Sequence, residues 1–120
     1  DRAISAVGEA ATAGEVLGLL QTSRWDLVIL DLALPDRSGL DVLRQIRADH
    51  PGTKVLVISG YPERQYALNV VRAGAGGFLA KASAADDLHK AVGVVLQGRR
   101  YVSPELADLL IADMDSPGAQ

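Results

Sequence analysis

An α/β fold built on a parallel sheet is what this sequence predicts, and three observations predict it. Short unbroken apolar runs, Leu27–Leu30 (LVIL) and Val55–Ile58 (VLVI), read as strands covered on both faces. Hydroxyl residues followed three positions later by an acid, as in Thr12-Ala-Gly-Glu15 and Ser38-Gly-Leu-Asp41, read as the starts of helices. Strand and helix signals then alternate strictly along the chain, which calls for parallel strands joined by right-handed crossovers.

Taken in order, the first strand is expected at about Ala3–Val7. The Thr12–Glu15 capping box opens a helix that carries Val16, Leu19 and Leu20 on its apolar side. After the strand Leu27–Leu30, the Ser38–Asp41 box opens a second helix with Leu43 and Ile46. The strand Val55–Ile58 follows. A helix from about Glu63 to Ala73 then buries Ala67, Val70 and Val71 and stops at Gly74, a residue suited to a helix C-cap. A fourth strand is expected at Phe78–Ala80, and the box Ser83-Ala-Ala-Asp86 predicts a helix from near Ala84 to Gly98. Leu88, Ala91, Val92, Val95 and Leu96 make its stripe. Finally Ser103-Pro104 is an N-cap with a first-turn proline, opening a helix with Leu106, Leu109 and Leu110. No internal repeat or low-complexity segment interrupts the pattern.

At 120 residues the chain makes one domain, and 48% hydrophobic residues with a net charge of −3 are ordinary for a soluble protein. No apolar run is long enough for a membrane span, and no signal peptide is visible. The absence of cysteine excludes disulfides and thiolate metal ligands and fits a cytoplasmic location. Mild acidity argues against nucleic-acid binding by this domain's own charge. The basic pair Arg99–Arg100 reads as a solvated turn, His50 and His89 as solvated residues without a chemical role, and Tyr61 and Tyr66 as packing residues.

Candidate chemistry lies where strands end. Asp31 ends the strand Leu27–Leu30, Ser59 ends Val55–Ile58 ahead of the breaker Gly60, and Lys81 ends Phe78–Ala80. Open α/β sheets build their sites at the carboxyl edge. If the strands are parallel neighbours, a carboxylate, a hydroxyl and an ammonium converge there. Lys81 would favour the ionised form of Asp31, and Ser59 could bond an oxyanion carried on it. Each residue alone is a weak signal; the triple at matching positions is strong.

These residues, set in LDLALPDRSGLDVL, VISGYPERQYALNVVRAGAGGFLAK and GRRYVSPELADLL, resemble the receiver domain of bacterial two-component response regulators, of the LuxR/NarL-like type. The resemblance runs from about Ala3 to Leu110. It implies a flavodoxin-like doubly wound sheet of order 2-1-3-4-5. It implies that Asp31 is the phosphoacceptor for a sensor histidine kinase, that Lys81 pairs with the phosphoryl oxygens, and that Ser59 bonds the aspartyl phosphate. Phe78 matches the switch aromatic that turns inward, and the main-chain carbonyl of Ala33, with Asp31, matches ligands of Mg²⁺. The expected partners are the kinase, a second copy in a homodimer, and DNA only through a C-terminal helix-turn-helix domain not in this sequence; no membrane is expected. Residues 1–100 would form the receiver and 101–120 the start of a linker toward that domain. As a bare residue pattern, Phe78 is equally a core aromatic.

The departures carry expectations of their own. The family's first strand, which ends in a pair of acids that hold Mg²⁺, and the helix after it are absent here, because Ala3–Val7 matches the family's second strand. Asp1, Asp36 and Asp41 are poorly placed to replace that pair, so no properly ligated Mg²⁺ is expected. The gap beside Leu27–Leu30 should be filled by upstream residues, another chain or a changed pairing. The Ala84–Gln97 helix and the leucines of the last helix, unless something covers them, are expected to offer a contact surface, for a homodimer or for packing of the last helix on its own or a neighbouring domain. The leading expectation is therefore a phosphorylation-controlled switch rather than an enzyme. The alternative is a receiver-like module that dimerises without phosphorylation. A phosphatase of the haloacid-dehalogenase type is disfavoured, since it wants an acid where Ala33 stands.

Overall fold

The apolar runs become strands whose two faces are covered by different helices. The computed structural model describes residues 12–22, 25–31, 38–60 and 64–114. In chain order these form α1 (Ala13–Thr22), β1 (Leu27–Asp31), α2 (Gly39–Asp49), β2 (Lys54–Ser59), α3 (Arg64–Arg72), β3 (Gly77–Ala80), α4 (Lys81–Leu96) and α5 (Pro104–Met114). The three strands pair in parallel in the order β1-β2-β3. The expected strand Ala3–Val7 lies outside the described residues, and so does any pairing that fills the space beside β1.

Side-chain alternation sorts the sheet into two cores. Val28, Leu30, Val55, Val57 and Phe78 face one way, into a cluster with Val16 and Leu20 of α1, Val42, Leu43 and Ile46 of α2, Val70 and Val71 of α3, and Leu106 of α5. Leu27, Leu56 and Leu79 face the other way, against Ala91 and Val95 of α4, with Leu88, Val92 and Leu96 half-buried around them. This is why the strand runs are continuously apolar: neither face meets water.

Local signals account for most element ends. Thr12 caps α1, its Oγ1 accepting the Glu15 N–H at 3.1 Å, and removal of such a cap costs about 1 kcal/mol. Helix α3 closes with a Schellman motif at Gly74 (φ 107°): the Gly74 N–H donates to Val71 O at 3.0 Å and the Ala75 N–H to Val70 O at 3.4 Å. The same motif closes α4 at Gly98 (φ 86°), with Gly98 N–H bonded to Val95 O at 3.0 Å and Arg99 N–H to Val94 O at 3.2 Å. At the sheet's amino end Thr53 Oγ1 donates to Trp25 O at 2.8 Å and Trp25 Nε1 to Leu19 O at 3.0 Å, tying β2, β1 and α1 together.

Four expectations are corrected. Ser83 does not cap α4, which begins at Lys81 with Ala80 as a cap that makes no side-chain bond; Ala82 is a strong helix former, so nothing delays the helix to the hydroxyl. Ser38 does stand at the N-cap of α2, but it makes no side-chain cap bond. Leu19 is 42% exposed, one position off the apolar stripe that Val16 and Leu20 define. The stripe of α4 is not an open contact surface, because it covers the sheet. The last helix also folds back: α5 packs on α3, burying Leu106 and half-burying Leu109 and Leu110, while Ile111 stays 59% exposed. Its approach is set by Tyr101, whose N–H donates to Gly76 O at 3.0 Å and whose carbonyl accepts the Phe78 N–H at 2.9 Å.

Candidate functional site at the carboxyl edge of the sheet

Register decides which strand ends meet. Asp31 lies opposite Ile58, and Ser59, one residue further on, lies opposite Ala80. Adjacent strands lie about 4.8 Å apart, so the three strand ends form a row at one edge of the sheet. Lys81 is the next residue after β3 and the first of α4. Because α4 starts without a connecting loop, its side chain reaches back across the edge, and Lys81 Nζ stands 2.9 Å from Asp31 Oδ2.

The electrostatics of this pair follow from its position. The side chains of Lys81 and Asp31 remain 56% and 40% exposed, so their attraction is screened, and pairs of that kind contribute about 0–1 kcal/mol. A cation in the first turn of a helix is opposed by the positive end of the helix dipole, whereas a carboxylate near that end is favoured. The carboxylate beside Lys81 therefore compensates an otherwise unfavourable placement. Anionic groups added to Asp31 would meet both the ammonium and the amino end of α4.

Ser59 is buried, 2% exposed, at the end of the central strand. Gly60, which the sequence marked only as a breaker, borders the site: a Cβ there would lie 3.8 Å from Lys81 Cδ. The signal that could have found it is its place immediately after a strand-end hydroxyl. Phe78 is buried within the core shared with α5, so the packing role is the one visible in this conformation. Ala33 lies outside the described residues, as do Asp36 and Tyr61. Asp41, in the first turn of α2, pairs on the surface with Arg44 at 3.6 Å, both side chains well exposed. His50 ends α2 and His89 is exposed on α4.

A divalent cation is a poor fit to what is described. Asp31 is the only acid at the carboxyl ends of the three described strands. Among the described residues no group of three or more His, Cys, Asp or Glu comes together to hold a metal. Mg²⁺ wants near-octahedral oxygen ligation, which the described residues do not assemble at this edge. Also among the described residues, no helix is long and apolar enough to cross a membrane.

Comparison with known proteins gives the family of the chain. Residues 1–93 match the family model of the response regulator receiver domain. The response regulator GacA of Pseudomonas viridiflava is 29% identical over 107 residues, which cover 89% of this chain and 50% of that protein. The transcriptional regulatory protein DegU of Brevibacillus brevis is 35% identical over 88 residues, 73% of this chain and 37% of that protein. The chain spans about half the length, or less, of these curated relatives. Among solved structures, a LuxR-family two-component response regulator from an Aurantimonas species superposes with a TM-score of 0.78 at 33% identity, covering 92% of this chain and 79% of that one. With a family model matched over residues 1–93, the chain belongs to the response regulator receiver domain family.

Proposed function

We propose that Asp31 accepts a phosphoryl group from the phosphohistidine of a sensor kinase and that the modified domain acts as a switch, not as an enzyme. In that transfer an Asp31 carboxylate oxygen bonds to phosphorus, the phosphorus–nitrogen bond breaks, and the imidazole leaves. The observation that carries the reading is the 2.9 Å contact between Lys81 Nζ and Asp31 Oδ2 at the sheet edge. Phosphoryl transfer asks a protein for positioning and positive charge more than for covalent help, and Lys81 with the amino end of α4 supplies both. Ser59, on the neighbouring strand, would bond the phosphoryl oxygens, and Phe78 would pack behind it. An added phosphoryl group changes the balance between two states of the domain, which would alter dimerisation or an output domain that binds DNA. The kinase partner and a cytoplasmic location go with this reading.

A second reading is a receiver-like module that dimerises without phosphorylation; among the described residues no group of three or more His, Cys, Asp or Glu comes together to hold Mg²⁺. One experiment separates the two. Incubation with Mg²⁺ and acetyl phosphate, followed by intact mass measurement, should give a single phosphate adduct that disappears in Asp31→Asn. No adduct under any condition, with a dimer retained, would establish the second reading instead.

A further inference from the structure

The other end of the sheet, where β1, β2 and β3 begin, holds a cavity of about 200 Å³ lined by Arg47, Lys54, Arg99 and Arg100, with Gly74 and Gly98 in its walls. Four of the chain's twelve Lys and Arg meet there, no Asp or Glu among the described residues lines the cavity, and the chain as a whole has a net charge of −3. Like charges gathered in this way repel, and they do so more strongly where water is partly displaced. Arg47 and Lys54 are half-buried, and Arg99 and Arg100 are exposed at the rim. Among the described residues, neither Lys54, Arg99 nor Arg100 forms an ion pair.

Arg47 is held in place rather than left to swing out. Its Nη1 donates to Thr53 O at 3.0 Å and to Pro51 O at 3.3 Å. A Cβ on Gly74 would come within 3.0 Å of Arg47 Cγ and Nε, so the glycine that closes α3 also leaves the space in which this side chain lies. The bonds use one edge of the guanidinium and leave Nε and Nη2 for another acceptor. On the opposite wall, the Schellman turn at Gly98 fixes where the chain carries Arg99 and Arg100.

We propose that this pocket binds a compact, multiply charged oxyanion of the phosphate class, such as a diphosphate group. A fixed guanidinium matches two phosphate oxygens at once, and mobile arginines at the rim can close on the remainder. The backbone N–H groups of Gly74, Ala75, Gly76, Gly98 and Arg99 are already bonded to carbonyls, so recognition falls to the side chains. The volume suits a small ligand rather than an extended chain. Lys54 and Ser59, the two ends of β2, are five residues apart, about 16 Å at 3.3 Å per residue, so the site is distinct from Asp31 and does not rest on the phosphoacceptor reading.

The test is a titration of the ¹⁵N-labelled full chain with sodium pyrophosphate at constant ionic strength, read by amide chemical shifts, with sodium chloride as control. The amides of Gly74, Gly76 and Gly98 should move and saturate, while those of Asp31 and Gly60 stay in place. Replacing both exposed arginines, Arg99→Gln with Arg100→Gln, should weaken binding about tenfold or more, the scale of losing charge-assisted hydrogen bonds, with an unchanged urea midpoint. Lys54→Gln, tested separately, should weaken it as well. Absence of a saturable shift, the same shift with chloride, a shift confined to the Asp31 end, or unchanged affinity in these variants would overturn the proposal. So would saturation by a short DNA duplex without saturation by pyrophosphate, which would assign the pocket to a nucleic-acid backbone.

Discussion

At its carboxyl end the sheet sets one carboxylate against one ammonium, Asp31 and Lys81, 2.9 Å apart. At its amino end it gathers Arg47, Lys54, Arg99 and Arg100 around a cavity that no acid among the described residues lines. The first arrangement is neutral and exposed, with a partner already present. The second is a positive surplus, held in part by a guanidinium that two carbonyls pin. Both ends are carried by the same three strands, so the difference is not one of scaffold. It lies in how the charges arrive. The acid and the lysine sit directly at strand ends, where parallel pairing aligns them; the cations come from a helix, a strand start and a turn that only packing brings together.

If the three strands act as one rigid sheet, a change at its centre is felt at both ends. Leu56 is fully buried in the middle of β2, between the two ends. Leu56→Ala should cost about 2–5 kcal/mol, read as a fall in the urea midpoint, and should loosen both ends together. Amide exchange that rises at only one end would show that the ends are independent units.

Smaller changes sharpen the contrast at the amino end alone. Gly74 and Gly98 both have positive φ, but a Cβ on Gly98 meets nothing within 4 Å, whereas one on Gly74 meets Arg47 at 3.0 Å. Gly98→Ala should therefore cost about 1–2 kcal/mol for the left-handed backbone alone, and Gly74→Ala should cost more. Equal losses in thermal or urea unfolding would show that Arg47 is not held where its bonds place it.

The smallest stability effect belongs to the carboxyl end. Lys81→Ala removes an exposed pair and a cation from the start of a helix, so unfolding free energy should change by no more than about 1 kcal/mol. That change should shrink further as salt screens the pair. The same variant should still weaken the response to acetyl phosphate, measured as the change in oligomeric state on treatment. A large loss of stability would mean that the lysine is structural; an unaltered response would remove it from the switch.

Much of this architecture was legible beforehand because its signals are local. Continuous apolar runs named β1 and β2, and Gly74 and Gly98 marked the ends of α3 and α4, since only a left-handed residue closes a Schellman motif cheaply. Thr12 behaved as a cap. Ser83 did not, because a hydroxyl competes for a helix start only if the residues before it are not already helical. The pair Arg99–Arg100 was read as a bare solvated turn, since Arg47 and Lys54, which complete the cluster, are far away in sequence. For Leu106 the sequence leaves open what covers it, since a stripe on an isolated helix does not say which neighbour packs against it; in the structure α5 packs on α3.

Local sequence signals set the element types, the alternation that makes the sheet parallel, and the placement of Asp31, Ser59 and Lys81 at or just after strand ends. These depend on periodicity and on turn residues a few positions apart, and they are set before any long-range contact forms. Tertiary structure alone decided that α4 covers one face of the sheet, that α5 folds back onto α3, and that Lys81 reaches Asp31. It also decided that four separated cations share one cavity. The physical reason is the same in each case: what a side chain meets across space depends on how sheet faces and helix ends pack, and no local pattern encodes that.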